Sequence, residues 1–282
     1  MKKVYIAVLL ALMYVPIVLV IVYSFNENRL SSVWGGLSLN WYRDLFRDRA
    51  MFEALRNSLF LAAVSSLLAA VIGTLGAVGL AEISSDKNAV KSLPRRFSGI
   101  MEYLSILPIM TPEIILGMVL LVFFSLLMLP LGMLTLILAH TCFCIPYVYL
   151  LVKARLAGLD KSLAEAARNL GAGSWQAFRD IMLPLLAPAI VSGILLSFAM
   201  SFDDVIISIF VTGPHTNTLP IRIYTQLKTG VTPKTNALCS ILFVITVILC
   251  ILSAAVSRIR LPGVIQEIRD RKNGSEKNLT GD

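Results

Sequence analysis

Six apolar runs constrain this chain more than any other feature of its sequence. They cover residues 4–25, 58–81, 104–127, 132–151, 185–211 and 237–256. A helix needs about 20 apolar residues to cross the ~30 Å hydrocarbon core of a bilayer. Because backbone polar groups in hydrocarbon must bond to one another, the runs predict an all-α, polytopic membrane protein with six transmembrane helices.

The composition excludes a water-soluble domain. Apolar residues make up 57% of the chain and charged residues 15%, against about 45–50% and about 25% in soluble domains. The net charge of +8 does not point to nucleic acid, since the basic residues flank the apolar runs. Lys and Arg in such positions set the orientation of a membrane protein.

The distribution of basic residues predicts that both termini are cytoplasmic. An even number of spans puts the two ends on one side, and the segments on that side hold 17 Lys and Arg against 8 on the other. Positive charge is enriched on the cytoplasmic side of membrane proteins. We therefore expect a membrane domain over residues 1–257 and a basic cytoplasmic tail over residues 258–282.

The first outside loop, residues 26–57, contains a short amphipathic stretch around Trp41. We interpret it as a helix that begins at a cap formed by Asn40. Two interpretations stay open for this helix. It either lies at the membrane interface and completes the fold, or it forms a docking surface for an external partner.

The cytoplasmic loop over residues 159–184 has the pattern of a helix hairpin. Helix formers are followed by Gly171 and Gly173, which are expected to end the first helix. Ser174 is predicted to cap a second helix that runs to Met182 and stops near Pro184. Two short helices joined by a glycine turn form a projection that can insert into a groove on a partner.

The same loop resembles the EAA loop of permeases in binding-protein-dependent ABC importers. The matching residues are Glu165, Ala166, Ala167, Gly171, Ile181, Leu183 and Pro184. The resemblance implies a type I ABC importer permease fold, also called MetI-like, in a bacterial inner membrane. It further implies that this loop couples the permease to an ATPase subunit.

The chain contains no phosphate-binding loop of the form GxxxxGK[ST]. We therefore expect no cofactor in this chain, with ATP bound by a separate ATPase dimer. One EAA loop per chain implies a second permease subunit, expected to be a different chain. The resemblance also implies an extracytoplasmic binding protein as a partner. No nucleic-acid partner is expected.

Acidic residues within the apolar runs are the chemically informative positions. A carboxylate in hydrocarbon costs about 2.5–3.5 kcal/mol on insertion scales, so it normally faces a partner or an aqueous cavity. On a regular helix, one polar stripe would contain Gly193, Ser197, Ser201, Asp204 and Ser208. The stripe predicts Asp204 as the main pathway contact and Asp203 as the second. In the third run, Pro108 and Pro112 are expected to kink the helix next to Glu113.

Three carboxylates in these runs favour a cationic substrate. A polyamine such as spermidine or putrescine offers separated ammonium groups to pair with them and methylenes to contact apolar walls. The competing interpretation is that one or two of the acids pair with helix ends or with the companion chain.

Five blocks of the sequence resemble the spermidine/putrescine permease subfamily, in its second permease subunit. They are SFNENRLSSVWGGLSLNWY, LPIMTPEIILG, LAHTCFCIPYV, SFAMSFDDVIISIFVTGP and TLPIRIYTQLKTGVTPKTNAL. The resemblance implies an extracytoplasmic polyamine-binding protein as a partner, and roles in transport for Trp41, Glu113, Glu165, Ser201, Asp203 and Asp204. At Glu113 an aspartate is also familiar in the subfamily.

Other functions predict features that the sequence lacks. A membrane enzyme needs a nucleophile or a metal set, but His140 and His215 are isolated. We expect His140 to be a packed, hydrogen-bonded residue of the fourth run, and the cysteines to be packed thiols inside apolar runs. A secondary transporter has no need of an EAA loop. Within importers, ferric iron, thiamine or an amino-acid-like solute remain alternative substrates.

Overall fold

Helices form nearly all of the regular structure of this chain. The computed structural model describes residues 2–28, 33–85, 95–160, 171, 173–214, 216–248 and 251. Within these ranges the β structure is one isolated bridge between Asn26 and Leu37. The all-α fold class is confirmed.

The helices follow the apolar runs, with two breaks that divide runs into shorter pieces. In chain order they are α1 (Lys2–Tyr23), α2 (Asn40–Arg47), α3 (Arg49–Ser85), α4 (Arg95–Met110), α5 (Glu113–Leu126), α6 (Met133–Ala157), α7 (Ser174–Ala177), α8 (Leu183–Asp203), α9 (Ile206–Val211), α10 (Leu219–Thr229) and α11 (Pro233–Ile248). A π-helical turn, Phe178–Met182, joins α7 to α8.

Four helical segments are long and apolar enough to cross a bilayer, and a bent pair supplies a fifth candidate. The pair consists of α4 and α5, whose axes differ by 110°. The sixth predicted run coincides with α11, which is shorter, and residues 249, 250 and 252–256 of that run lie outside the described residues. The count of six spans therefore stays a prediction.

The chain divides into two units, and the first combines Met1–Asp48 with Lys228–Asp282. In this unit the turn after α1 is closed by the buried Asn26, whose side-chain oxygen accepts from the Gly35 N–H at 2.8 Å. Lys234 donates to Asp48 at 2.7 Å, which links α11 to the end of α2. The basic tail, residues 258–282, lies outside the described residues.

The second unit, Arg49–Leu227, is built on contacts of α6 with α3 and α8. Small residues allow this close approach. A Cβ added at Gly73 would lie 3.0 Å from Cβ of Val148, and one added at Gly193 would lie 3.2 Å from the Val148 Cα. Both neighbouring helices thus reach the α6 backbone at Val148, and larger residues at these positions would separate them.

Candidate functional site

A line of polar side chains runs through the second unit, buried between α3, α6, α8 and α9. We call it the polar seam, and it consists of Ser65, His140, Ser197, Ser201, Asp204 and Ser208. Ser197 lies against α6, where its hydroxyl donates to the Cys144 carbonyl at 3.4 Å. Buried polar groups of this kind are stable because they bond to one another. The serine stripe predicted for the fifth run therefore faces other helices of the same chain.

His140 lies at the centre of the seam and is fully buried. Its Nδ1 is 2.7 Å from the Ser201 hydroxyl, and its Nε2 is 3.0 Å from the Ser208 hydroxyl. Nε2 also lies 3.4 Å from Oδ2 of Asp204. The prediction that His140 is a packed, hydrogen-bonded residue is confirmed.

The fifth run is not one regular helix as predicted, although Ser197, Ser201, Asp204 and Ser208 of the predicted stripe do lie together in the seam. α8 ends at Asp203, Asp204 takes an extended conformation with φ −67° and ψ 128°, and α9 begins at Ile206. The physical cause is the Asp204 carboxylate. It accepts from the Ile207 N–H at 3.2 Å and the Ser208 N–H at 2.8 Å, so it caps the first turn of α9 although Val205 is the residue directly before that helix.

The two adjacent aspartates consequently have different surroundings. Asp204 is 5% exposed in its side chain, and it accepts a third hydrogen bond, from the Ser208 hydroxyl at 2.8 Å. Asp203 is exposed. In the part of the chain that the structure describes, its carboxylate has neither a hydrogen bond nor an ion pair.

Glu113 lies at the second break, between α4 and α5. It is exposed and is the first residue of α5, directly after Pro112. The predicted kink in this run is confirmed at Pro112, where the bend is 110°, whereas α4 continues through Pro108. One turn after Glu113, α5 packs against α9, with Gly117 lying against Phe210.

Trp41 belongs to the first unit, on α2. Its indole N–H donates to the Asn26 carbonyl at 2.8 Å, and the next residue, Tyr42, shares a 2.7 Å hydrogen bond with Ser24. The predicted amphipathic helix is present, with Leu45 buried. Asn40 does not cap it, because Leu39 occupies the cap position and Asn40 is the first helical residue.

Of the predicted coupling loop, the structure describes residues 159, 160, 171 and 173–184. Glu165, Ala166 and Ala167 lie outside the described residues. Gly171 has φ 86°, a left-handed conformation that favours glycine and confirms the predicted turn. The first described helix after the turn, α7, begins at Ser174 and carries Trp175, which is 67% exposed.

The predicted stop of this helix near Pro184 was wrong. Helical structure continues from Ser174 through the π turn into α8, so that Ile181, Leu183 and Pro184 lie on the path into a membrane helix. Pro184 is tolerated because it follows closely after the π-helical turn, where the regular hydrogen-bond pattern of the α-helix is already interrupted. The coupling segment is thus continuous with the helix that ends at Asp203.

Metal and thiol chemistry have little support in the described residues. Within them, no three His, Cys, Asp or Glu side chains are placed to hold a metal ion together. Cys142, Cys144 and Cys239 are free thiols, and Cys144 is fully buried, as predicted for a packed residue. His215 and Cys250 lie outside the described residues.

Sequence comparison decides the family. Residues 77–264 match the model of the family described as "Binding-protein-dependent transport system inner membrane component". The chain belongs to this family. It is therefore a membrane permease subunit of a transport system, and permeases of this family work with an ATPase and a substrate-binding protein.

Relatives with assigned names resemble this permease over most of its length. It is 38% identical over 259 residues to the spermidine/putrescine transport system permease protein PotC of Haemophilus influenzae, covering 92% of this chain and 96% of that protein. It is 39% identical over 238 residues to the putrescine transport system permease protein PotI of Escherichia coli K12, covering 82% and 81%. The resemblance to this subfamily is confirmed.

Solved structures share the fold of this permease. A chain of the MetNI methionine ABC transporter in an inward-facing conformation superposes with a TM-score of 0.59 at 23% identity, covering 79% of this chain and 97% of that one. A chain of a bacterial ABC transporter that imports alginate gives a TM-score of 0.65 at 15% identity, covering 91% and 94%. At these identities the likeness confirms the MetI-like permease fold alone.

Proposed function

We propose that this permease forms part of the path by which an ATP-driven importer carries a polyamine, spermidine or putrescine, into the cell. The observation that carries the proposal is the 37–39% identity to permeases named for these two amines, over 82–92% of the chain. The direction of transport follows the binding-protein-dependent family.

The exposed carboxylates supply the chemistry that such a substrate needs. Asp203 and Glu113 each lie exposed at the end of an apolar helix, next to a break in it. A carboxylate facing lipid is unfavourable, so each is expected to face water or a partner. An ammonium group pairs with such a carboxylate through a charge-assisted hydrogen bond, while the methylenes between ammonium groups contact apolar side chains.

Asp203 replaces Asp204 as the expected principal contact in this proposal. Asp204 already accepts three hydrogen bonds within the chain, and its side chain is almost completely covered. The Ser201 hydroxyl is hydrogen-bonded to His140 in the same seam, so it is expected to position the helix end that carries Asp203 and not to contact the substrate. Trp41 holds the turn after α1 to α2 through its hydrogen bond with Asn26. Its place in the substrate pathway is assigned by the resemblance to the subfamily only.

The assembly proposed around this chain contains an ATPase dimer, a second permease subunit of different sequence and an extracytoplasmic polyamine-binding protein. The chain itself binds no ATP and no cofactor. It lies in a bacterial inner membrane with both termini in the cytoplasm. This orientation puts the segment from Gly171 to Pro184 on the ATPase side, with Glu165, Ala166 and Ala167 in the same coupling loop.

Uptake by vesicles that contain the complete importer tests the substrate. Labelled spermidine, putrescine and thiamine are offered in turn, with ATP inside the vesicle and the binding protein outside. We expect ATP-dependent uptake of at least one polyamine and none of thiamine. Uptake of thiamine would show that the importer carries another solute. Uptake of ferric iron would show the same if excess spermidine does not compete with it.

The coupling role is tested at the glycine turn. Gly171→Val puts a β-branched side chain at φ 86°, which is strained, whereas Gly173→Val places its Cβ in open space. We expect Gly171→Val to lower uptake per ATP hydrolysed, and Gly173→Val to lower it less at equal membrane abundance. Equal coupling ratios in both variants would remove the glycine turn from the coupling mechanism.

A further inference from the structure

His140 holds both sides of the break in the fifth run from a neighbouring helix. Ser201 lies in the last turn of α8 and Ser208 in the first turn of α9. One imidazole ring on α6 contacts both hydroxyls, at 2.7 Å and 3.0 Å. The ring therefore fixes the separation between two helix ends that are joined only by Asp204 and Val205.

The hydrogen-bond roles around the ring follow from the Asp204 carboxylate. An ionised carboxylate only accepts, so the Ser208 hydroxyl donates its proton to Asp204 at 2.8 Å. The remaining lone pair of that hydroxyl then faces Nε2, which is assigned as N–H and also lies 3.4 Å from Asp204. Nδ1 is left to accept from the Ser201 hydroxyl, as the neutral Nε2–H tautomer does.

This arrangement separates the two adjacent aspartates. While Ser208 and the Nε2–H lie beside Asp204, that carboxylate stays directed at the start of α9. Asp203 is then the last helical residue of α8, on the exposed side of the break. Of the two contacts of the ring, the one at Nε2 acts on the Asp204 carboxylate, and no other of the six seam residues has a side-chain N–H that could replace it.

We propose that His140 is a positioning residue for translocation, one that keeps Asp204 in its capping position and thereby presents Asp203 to the substrate. The inference rests on the proposed function only for what Asp203 contacts. Its geometric part, the presentation of Asp203, holds for any substrate of this permease.

Two substitutions separate the contacts of the ring. His140→Gln places an amide N–H close to the position of Nε2 and keeps the contact with Ser208, whereas His140→Asn reaches only the position of Nδ1 and the contact with Ser201. His140→Phe removes both. Cys144→Ala is the matched packing control, because Cys144 is fully buried one turn later on the same helix face.

The experiment measures spermidine uptake by the complete importer in proteoliposomes, with KM and the maximal rate determined separately. We expect His140→Gln and Cys144→Ala to stay within about threefold of the unaltered KM, and His140→Asn and His140→Phe to raise it about tenfold, the loss typical of one hydrogen bond to a charged group. The double variant His140→Phe/Ser208→Ala should raise KM by less than the product of the two single effects, because the two residues share one contact while the Ser208 hydroxyl has a second one with Asp204.

A substrate-free measurement keeps the inference separate from the proposed function. In a chain whose four cysteines are replaced by alanine, Asp203→Cys reports the exposure of position 203 through its reaction with a positively charged thiosulfonate. His140→Asn should slow this reaction several-fold, and His140→Gln should leave it unchanged. If His140→Phe does not assemble, the Asn and Gln variants carry the comparison.

The outcomes are distinguishable. Absence of polyamine uptake in the unaltered importer, with the labelling pattern as expected, contradicts the proposed function and leaves the positioning role intact. Equal KM values for His140→Gln and His140→Asn, or an equal rise for Cys144→Ala, would overturn the positioning role. Unchanged labelling of position 203 in every His140 variant would overturn it as well.

Discussion

The two helix breaks of the second unit have different causes. Between α4 and α5 the chain turns at Thr111 and Pro112, and the helix axes differ by 110°. Between α8 and α9 there is no proline, and a carboxylate caps the new helix instead. A proline break is fixed by the covalent backbone, whereas a capped break depends on side chains that hold it.

The difference matters because each break carries an acid. Glu113 follows the proline break and is exposed, while Asp204 forms the capped break and is buried with its bonds satisfied. A carboxylate that maintains the fold is not free to bind a substrate. The capped break therefore assigns its two aspartates to different tasks, one structural and one directed outward.

Removing the cap should have the largest effect. Asp204→Ala leaves the Ile207 and Ser208 N–H groups and the Ser208 hydroxyl without their acceptor, and each buried unsatisfied group costs about 1–3 kcal/mol. We expect recovery of the assembled permease to fall at least about tenfold in size-exclusion chromatography. Recovery equal to that of the unaltered chain would show that packing alone maintains the capped break.

Removing the proline should have a smaller effect on assembly. Pro112→Ala takes away a penalty of about 3 kcal/mol against continuing α4 as a helix. The contact of α5 with α9 at Gly117 still favours the bend, so we expect a mixture of bent and straight forms and a few-fold loss of uptake.

Spin labels at the exposed positions Leu104 and Val122 measure this mixture. A straight helix would separate the two positions by about 27 Å, and the bend brings them closer together. Labels are attached in a chain without its native cysteines. A distance distribution identical before and after Pro112→Ala would show that packing and not proline sets the bend.

The smallest effect is expected from Ser208→Ala. It removes one hydroxyl that donates to Asp204 and contacts His140, while the Ser208 N–H still reaches the carboxylate. The free energy of unfolding should fall by about 1 kcal/mol. Ser192→Ala is the control, because that serine is exposed on α8 and bonds only within its own helix. Equal losses of unfolding free energy in the two variants would show that the seam hydroxyl stabilises the fold no more than an exposed serine does.

The sequence predicted what depends on local chemistry. The apolar runs predicted the helices, Pro112 predicted the bend, and Gly171 predicted the left-handed turn. The unbroken helix predicted through Asp204 was wrong because an aspartate in an apolar run fits the interior of a helix and the start of a new one equally well. The choice depends on which helices lie opposite, and that register is a tertiary property.

The role of His140 could not be predicted from the sequence, because it also depends on which helices lie opposite. A histidine in an apolar run predicts a buried hydrogen bond, and that much was correct. Its partners lie 61 and 68 residues away in the chain, on two sides of an unpredicted break. The helix continuity at Pro184 was missed because a proline usually ends a helix, and the sequence did not predict the π-helical turn that accommodates this one.

In the proposed mechanism Asp203, and not Asp204, contacts the substrate ammonium group. Paired substitutions test it most directly, with polyamine uptake and complex recovery measured for Asp203→Asn and Asp204→Asn. Both changes are nearly isosteric, and Asn at position 204 keeps an oxygen that can accept from α9. We expect Asp203→Asn to assemble normally and to raise KM about 10–100-fold, the loss of affinity that follows from removing one hydrogen bond to a charged group. We expect Asp204→Asn to keep KM within about threefold and to lose thermal stability. Normal uptake in Asp203→Asn, with uptake abolished in a fully assembled Asp204→Asn, would contradict the account.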